Sequence, residues 1–167
     1  LGPQALTPLA KAISSMATVT SLNCLANKFG DDGLAALVTA VKGSSVRTLC
    51  GLTEGQTSAD FSKQNLGPTD CKMMAAEFEF SGFIATLVSV NCLKNNFGDE
   101  GLATLLTAID GTSVRSLCGL TEGQTTADFS GQNLRPFDCK ILAAEFAFSG
   151  FIATITRLAL GSNPIGD

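Results

Sequence analysis

The chain alternates between two hydrophobic patterns, one with the period of a strand and one with the period of a helix. Leu22 and Cys24 alternate with the polar residues Ser21 and Asn23, as in a short strand with one buried face. Asp31 and Asp32 come next, and acidic residues favour the positive end of a helix. Apolar residues then recur at helical spacing, at Leu34, Leu37, Val38 and Val41. The pattern therefore predicts a strand, a turn and a helix that ends at Gly43.

The same order of elements returns 68 residues later. Residues 19–86 and 87–154 are identical at 49 of 68 positions, so a second helix is predicted from Asp99 to Ile109, ending before Gly111. Residues 1–18 and 155–167 are interpreted as partial units. Because one such unit cannot bury its own hydrophobic face alone, we expect a single repeat domain over residues 1–167. We also expect either a longer chain or a partner that covers the open end of the array.

The second half of each unit contains two further strand-like segments. These are Val46–Cys50 and Ser58–Ser62, and the turn-forming segment Leu52–Thr57 separates them. We interpret the three segments as an inserted β-hairpin. Pro68 suits the first turn of a helix, and the following helix is expected over Asp70–Phe80 with Cys71, Met74, Ala75 and Phe78 inside. A match of Leu1–Pro3 to Leu66–Pro68 predicts a comparable helix over residues 4–14.

The first half-unit resembles a known repeat motif. From Val19 it follows the order V-x-x-L-x-C-x-x-N-x-F-x-x-x-G. This is similar to the leucine-rich repeat of the ribonuclease-inhibitor and NOD-like-receptor type, and Ala59–Pro68 looks like a variant of it. The alternation of two repeat types is similar to that in families from algae and other protists. The position of the conserved asparagine in that motif is occupied in turn by Asn27, Gln64, Asn95, Gln132 and Asn163.

The resemblance implies a fold of the α/β class. It would be a curved, right-handed leucine-rich-repeat solenoid with a parallel sheet on the concave face and helices on the convex face. Small inserted β-hairpins would lie in alternate repeats. Phe29 and Phe97 are expected in its core.

Composition excludes several classes of function. The net charge is −4 and no basic run is present, which argues against nucleic acid as a partner. No apolar stretch is long enough for a membrane helix. The chain has no His, which removes the commonest general base and metal ligand, and no cofactor or metal site is expected. The six Cys show no CxxC spacing, and we expect buried, reduced thiols, with disulfides between neighbouring copies left open.

Two sets of surface residues are candidate contact sites. The first is a strip on the concave face, made of strand residues whose side chains are expected to point outward. The alternative is that these residues are ordinary solvent-exposed positions. The strip consists of Asn23, Asp60, Asn91, Asp128 and Arg157. The second set belongs to projecting turns, for which a role in repeat packing is favoured over binding. These residues are Glu54, Gln56, Glu122 and Gln124. The carboxylates of Asp60 and Asp128, taken with those of Glu54 and Glu122, recur without a nucleophile or base beside them, which argues against calcium binding or acid–base catalysis.

The sequence favours a non-enzymatic protein–protein interaction module, either a scaffold or a recognition solenoid. Leucine-rich-repeat proteins usually bind proteins, and the resemblance therefore implies a protein partner. The alternative is an accessory structural subunit of a larger, possibly organellar, assembly. An intracellular compartment, cytoplasm or organelle, is favoured because reduced thiols are expected.

Overall fold

The computed structural model describes residues 6–80, 82–148 and 150–166. It is a mixed α/β structure, as expected. The described residues form five helices, namely α1 (Leu6–Ser15), α2 (Gly30–Lys42), α3 (Pro68–Glu79), α4 (Gly98–Ile109) and α5 (Pro136–Ala147). They form four strands, namely β1 (Ser58–Asp60), β2 (Ser89–Asn91), β3 (Thr126–Asp128) and β4 (Arg157–Ala159). Short 3-10 turns cover Phe83–Thr86 and Phe151–Thr154.

The helices begin and end close to the predicted positions. α2 carries Asp31 and Asp32 in its first turn and is followed by Gly43, and α4 carries Asp99 in its first turn. α3 has Pro68 as its first residue, and Asp70 accepts the Gly67 N–H at 2.8 Å. α1 confirms most of the helix predicted over residues 4–14, and residues 4 and 5 of that prediction lie outside the described residues. None of the helices described is long and apolar enough to cross a membrane.

Two parallel strand pairs occupy equivalent places in the repeat. β1 pairs with β2 so that Asp60 lies opposite Asn91, and β3 pairs with β4 so that Asp128 lies opposite Ala159. The parallel direction is the one that the resemblance to leucine-rich repeats implies.

The prediction of an inserted β-hairpin is wrong. Thr48 forms a parallel bridge with Ser21, and Cys50 forms a bridge with Asn23. β1 pairs instead with β2, so the described pairings contain no ladder between Val46–Cys50 and Ser58–Ser62. The segment 46–50 is thus a partner of the preceding strand segment. Ser116 and Cys118 make the same bridges to Ser89 and Asn91 in the second copy.

The chain divides into two compact units. The first comprises the described part of Leu1–Gln56 together with Leu66–Thr86 and Phe97–Thr112. It holds α1 to α4, and Phe29, Phe97, Leu37 and Met74 are at most 1% exposed. The expected core positions of these phenylalanines are therefore confirmed. Phe78, predicted inside, is only half-buried, and Glu77 beside it is fully buried.

The second unit comprises Thr57–Asn65, Leu87–Asn96 and Ser113–Asp167, of which Ser149 and Asp167 are not described. It holds the four strands and α5, with Phe61, Phe129 and Ile141 buried. Ala59 and Ala127 are buried between exposed neighbours in β1 and β3, so the predicted period of two holds there. It fails in β2, where Ser89, at the position equivalent to the polar strand residue Ser21, is buried and donates its hydroxyl to the Leu120 carbonyl at 2.6 Å.

The cysteines behave as small apolar residues. Five of the six are buried and Cys139 is partly buried, and they form no disulfide in the part of the chain that is described. Burial is the main reason why the pKa values of the Cys50, Cys92 and Cys118 thiols are raised, which favours the unreactive protonated form. The burial predicted for these positions is therefore confirmed.

Candidate functional site

The predicted concave strip is divided between the two units. Asn23 lies in the first unit, and Asp60, Asn91, Asp128 and Arg157 lie in the second. Asp60, Asp128 and Arg157 are exposed, whereas Asn91 is half-buried. In the second unit, the register places Asp60 opposite Asn91 and places Arg157 diagonally across from Asp128.

Each strip carboxylate or amide bonds to its own backbone two residues further on. Asp60 accepts the Ser62 N–H at 2.9 Å, and Asp128 accepts the Ser130 N–H at 2.8 Å. Asn91 accepts the Leu93 N–H at 3.2 Å, and Asn23 accepts the Leu25 N–H at 3.1 Å. This local bond turns the backbone at the end of a strand. The strip residues therefore have a structural role that the sequence reasoning did not assign to them.

Asp128 has the most clearly perturbed charge in the strip. The hydrogen bond from the Ser130 backbone, then the Ser130 hydroxyl and then the charge of Arg157 lower the pKa of its carboxyl group. All three favour the charged form. Asp128 is consequently a weak base. It presents a fixed negative charge at the surface, beside the positive charge of Arg157.

The predicted projecting turns are closed by their glutamines. The Gln56 side-chain oxygen accepts the Thr53 N–H at 3.1 Å, and the Thr53 carbonyl accepts the Gln56 N–H at 3.2 Å. Gly55 supplies the positive φ of 74° that this tight turn requires. The second copy has the same bond between Gln124 and Thr121, at 3.1 Å. These glutamines therefore hold the turns together.

The turns are also fastened to the 3-10 segments that follow. Thr86 donates its hydroxyl to the Gln56 carbonyl at 2.5 Å, and Thr154 donates to the Gln124 carbonyl at 2.7 Å. Glu54 and Glu122 stay exposed. Packing within the repeat thus accounts for Gln56 and Gln124, and the two glutamates are the side chains that each turn presents outward.

Two buried glutamates were missed by the sequence analysis. Glu77 accepts the Thr48 hydroxyl at 3.1 Å and also the Leu49 N–H, and its equivalent Glu145 accepts the Leu117 N–H at 3.0 Å. Both are 0% exposed. Burial raises the pKa of each carboxyl group, and the hydrogen bonds oppose that rise. The recurrence of a charged residue inside an apolar helix segment was the available signal.

These carboxylates face the backbone of a segment 28 residues before them in the chain. Among the described residues, no group of three or more His, Cys, Asp or Glu side chains is placed to hold a metal ion. The Oε1 atom of Glu145 has no hydrogen-bond partner in the described part of the chain. The two carboxylates therefore support the backbone of the segment that precedes their helix in each copy of the repeat.

Comparison with known proteins adds no relative: no protein-family model matches the chain, and no curated protein matches it.

Proposed function

We propose that the chain is a leucine-rich-repeat solenoid that acts as a non-enzymatic protein–protein interaction module. The strand pairs support the solenoid, because they are parallel and recur at equivalent positions of the 68-residue unit. The asparagines at the motif position support it as well. Asn95 donates to the Phe61 and Cys92 carbonyls at 2.8 and 3.0 Å, and Asn163 donates to the Phe129 and Leu160 carbonyls at 2.7 and 2.9 Å. One amide thereby joins one repeat to the next.

The observation that carries the binding role is the surface of β1 and β3. Ser58, Asp60, Thr126 and Asp128 are exposed, and each strand's central alanine is buried. The exposed side chains are short and polar, so a partner can approach the strands closely and supply the larger anchoring groups. The lowered pKa of Asp128 suits a fixed charge that meets a basic partner residue better than it suits proton transfer.

Co-purification from the native source with matched variants tests this role. In the strip variant, Asp60→Asn, Asp128→Asn and Arg157→Gln remove three charges while the asparagines retain an oxygen for the local turn. The control variant carries Glu54→Gln and Glu122→Gln in the projecting turns. We expect companions identified by mass spectrometry to be lost with the strip variant and kept with the control. Companions that both variants keep would refute the strip as the contact surface.

The second candidate is an accessory structural subunit of a larger, possibly organellar, assembly. An exposed aromatic side chain favours it. Phe146 on α5 is 54% exposed. Such a residue suits a permanent, more apolar interface.

Size-exclusion chromatography of the native material distinguishes the two candidates. A transient interaction module should elute alone at the size of a monomer. An accessory subunit should elute in a large particle with companions at fixed stoichiometry. Elution as a lone monomer would rule out the second candidate.

A further inference from the structure

Three cations from separate turns of the second unit line one cavity. Lys63 follows β1, Lys94 follows β2, and Arg135 precedes α5. Together with the side-chain amides of Asn65, Asn96 and Asn133 they line an open cavity of about 500 Å³. The cavity lies in the turns that follow parallel strands, where the carboxyl ends of the strands meet at one edge. Three of the eleven basic residues of an acidic chain are thus gathered at one place.

The lysines of the cavity repel one another. The pKa of Lys94 is lowered by partial burial and by the neighbouring ammonium group of Lys63. Asp138 acts in the opposite direction on Lys94, and its Oδ2 atom lies 4.0 Å from Arg135 Nε. However, the Asp138 carboxylate already accepts the backbone N–H groups of Lys94 and Arg135. One buried carboxylate therefore faces Lys94 and Arg135, and Lys63 adds a third positive charge to the cavity.

The fold does not require these cations, because in each case the equivalent position of the other copy of the repeat carries no cation. Positions 63, 94 and 135 correspond to Gly131, Ala26 and Gly67 in the 68-residue repeat. The backbone conformation is the same despite the change: φ is 58° at Lys63 and 62° at Gly131, and it is 64° at Lys94 and 58° at Ala26. The two copies differ at only 19 of 68 positions, and three of those differences place a cation around this one cavity.

We propose that the cavity lined by Lys63, Lys94 and Arg135 binds a phosphate group. Two ammonium groups and a guanidinium group can neutralise a dianion from several sides, and the guanidinium can form paired bonds with its oxygens. The amides add neutral donors that a carboxylate, with two oxygens, would use less fully. The phosphate can be free inorganic phosphate or part of a small phosphorylated molecule, and the cavity volume accommodates either. This site is independent of the proposed contact strip.

Isothermal titration calorimetry with inorganic phosphate at constant ionic strength tests the site. The test variant, Lys63→Gly, Lys94→Ala and Arg135→Gly, places at each position the residue found at the equivalent position of the repeat. The control variant, Lys11→Ala, Lys28→Asn and Lys42→Ala, removes three exposed cations that do not line the cavity. We expect saturable binding to the unmodified chain, at least about tenfold weaker binding to the test variant, and binding to the control within about threefold.

A parallel titration with ribose 5-phosphate identifies the source of the phosphate. Tighter binding than inorganic phosphate would indicate a phosphorylated small molecule, and equal binding would indicate recognition of the phosphate group alone. Absence of saturable binding, or an equal loss in the test and control variants, would overturn the proposal. Circular dichroism of each variant shows that it is folded. The thermal midpoint gives a second measurement, since phosphate should raise it for the unmodified chain and not for the test variant.

Discussion

Gly150 lies where the backbone leaves no room for a side chain, so Gly150→Ala should strongly destabilise the second unit. An alanine Cβ there would lie 1.9 Å from the Arg115 carbonyl oxygen and 2.7 Å from its carbon. Relieving the contact to an ordinary 3.4 Å requires a separation of about 1.5 Å. The same oxygen accepts the Phe151 N–H at 2.8 Å, and that bond cannot persist through such a shift.

The expected loss combines two costs. Overpacking contributes about 1–3 kcal/mol, and the lost hydrogen bond contributes about 1–3 kcal/mol where its groups stay dry. We therefore expect the free energy of unfolding to fall by about 2–6 kcal/mol. Gly161→Ala is the matched control, because no atom lies within 4 Å of its added Cβ, and it should change stability by less than about 0.5 kcal/mol.

Urea unfolding followed by far-ultraviolet circular dichroism measures the effect, since the chain has no Trp or Tyr for fluorescence. Gly82→Ala provides an internal replicate in the first unit, where the added Cβ would lie 2.2 Å from the Arg47 carbonyl oxygen. It should destabilise in the same direction. If Gly150→Ala unfolds at the same urea concentration as Gly161→Ala, the close approach and the reasoning from it are wrong.

Three further changes test the core, the asparagine contacts and the buried carboxylate. Phe97→Ala should cost about 3–5 kcal/mol in urea unfolding by cavity formation, because Phe97 is 0% exposed, while Phe146→Ala at a side chain 54% exposed should cost under about 1 kcal/mol. Asn95→Ala should cost about 2–4 kcal/mol because several backbone groups lose their partner, whereas Gln132→Ala, which loses one exposed bond, should cost under about 1 kcal/mol. Glu145→Gln should become progressively more stable than the unmodified chain as the pH rises above about 4.3. The reason is that burial raises the pKa of the Glu145 carboxyl group in the folded chain. Its contribution to the free energy of unfolding is therefore complete below the pKa of the unfolded chain and is lost as the pH rises through the pKa of the folded chain.

Each of these expectations has an outcome that contradicts it. A loss under about 1 kcal/mol for Phe97→Ala would mean that this ring is not part of the core. Equal losses for the two amide variants would mean that Asn95 joins no more backbone groups than Gln132 does. A stability difference between Glu145→Gln and the unmodified chain that stays constant with pH would mean that Glu145 is not perturbed by burial. The exposed Glu122→Gln variant is the control for that titration.

The sequence predicted the elements well because local patterns determine them. The helical spacing of apolar residues, the acidic residues of the first turn and Pro68 are enough to predict where α2 and α3 begin and end. The 68-residue repeat then gives the corresponding bounds of α4 and α5. The buried glutamates could not be found in this way, since burial depends on partners 28 residues away, such as Leu49 for Glu77. The basic cavity was missed for a similar reason, because its three cations come from three separate turns.

The failed hairpin prediction has a specific physical cause in Glu77. The segment 46–50 uses its carbonyl groups on one side, where Thr48 and Leu49 accept the Leu22 and Cys24 N–H groups at 3.0 and 2.7 Å. On the other side, Glu77 accepts the Leu49 N–H, and the Thr48 hydroxyl accepts the Cys50 N–H at 3.0 Å. A second strand would have to satisfy these buried N–H groups if the side chains did not. The carboxylate thus takes the place of a hairpin partner. The alternation of apolar and polar residues along 46–50 would be the same whether the segment paired with residues 21–24 or with residues 58–62. It therefore carries no information on which of the two the segment pairs with.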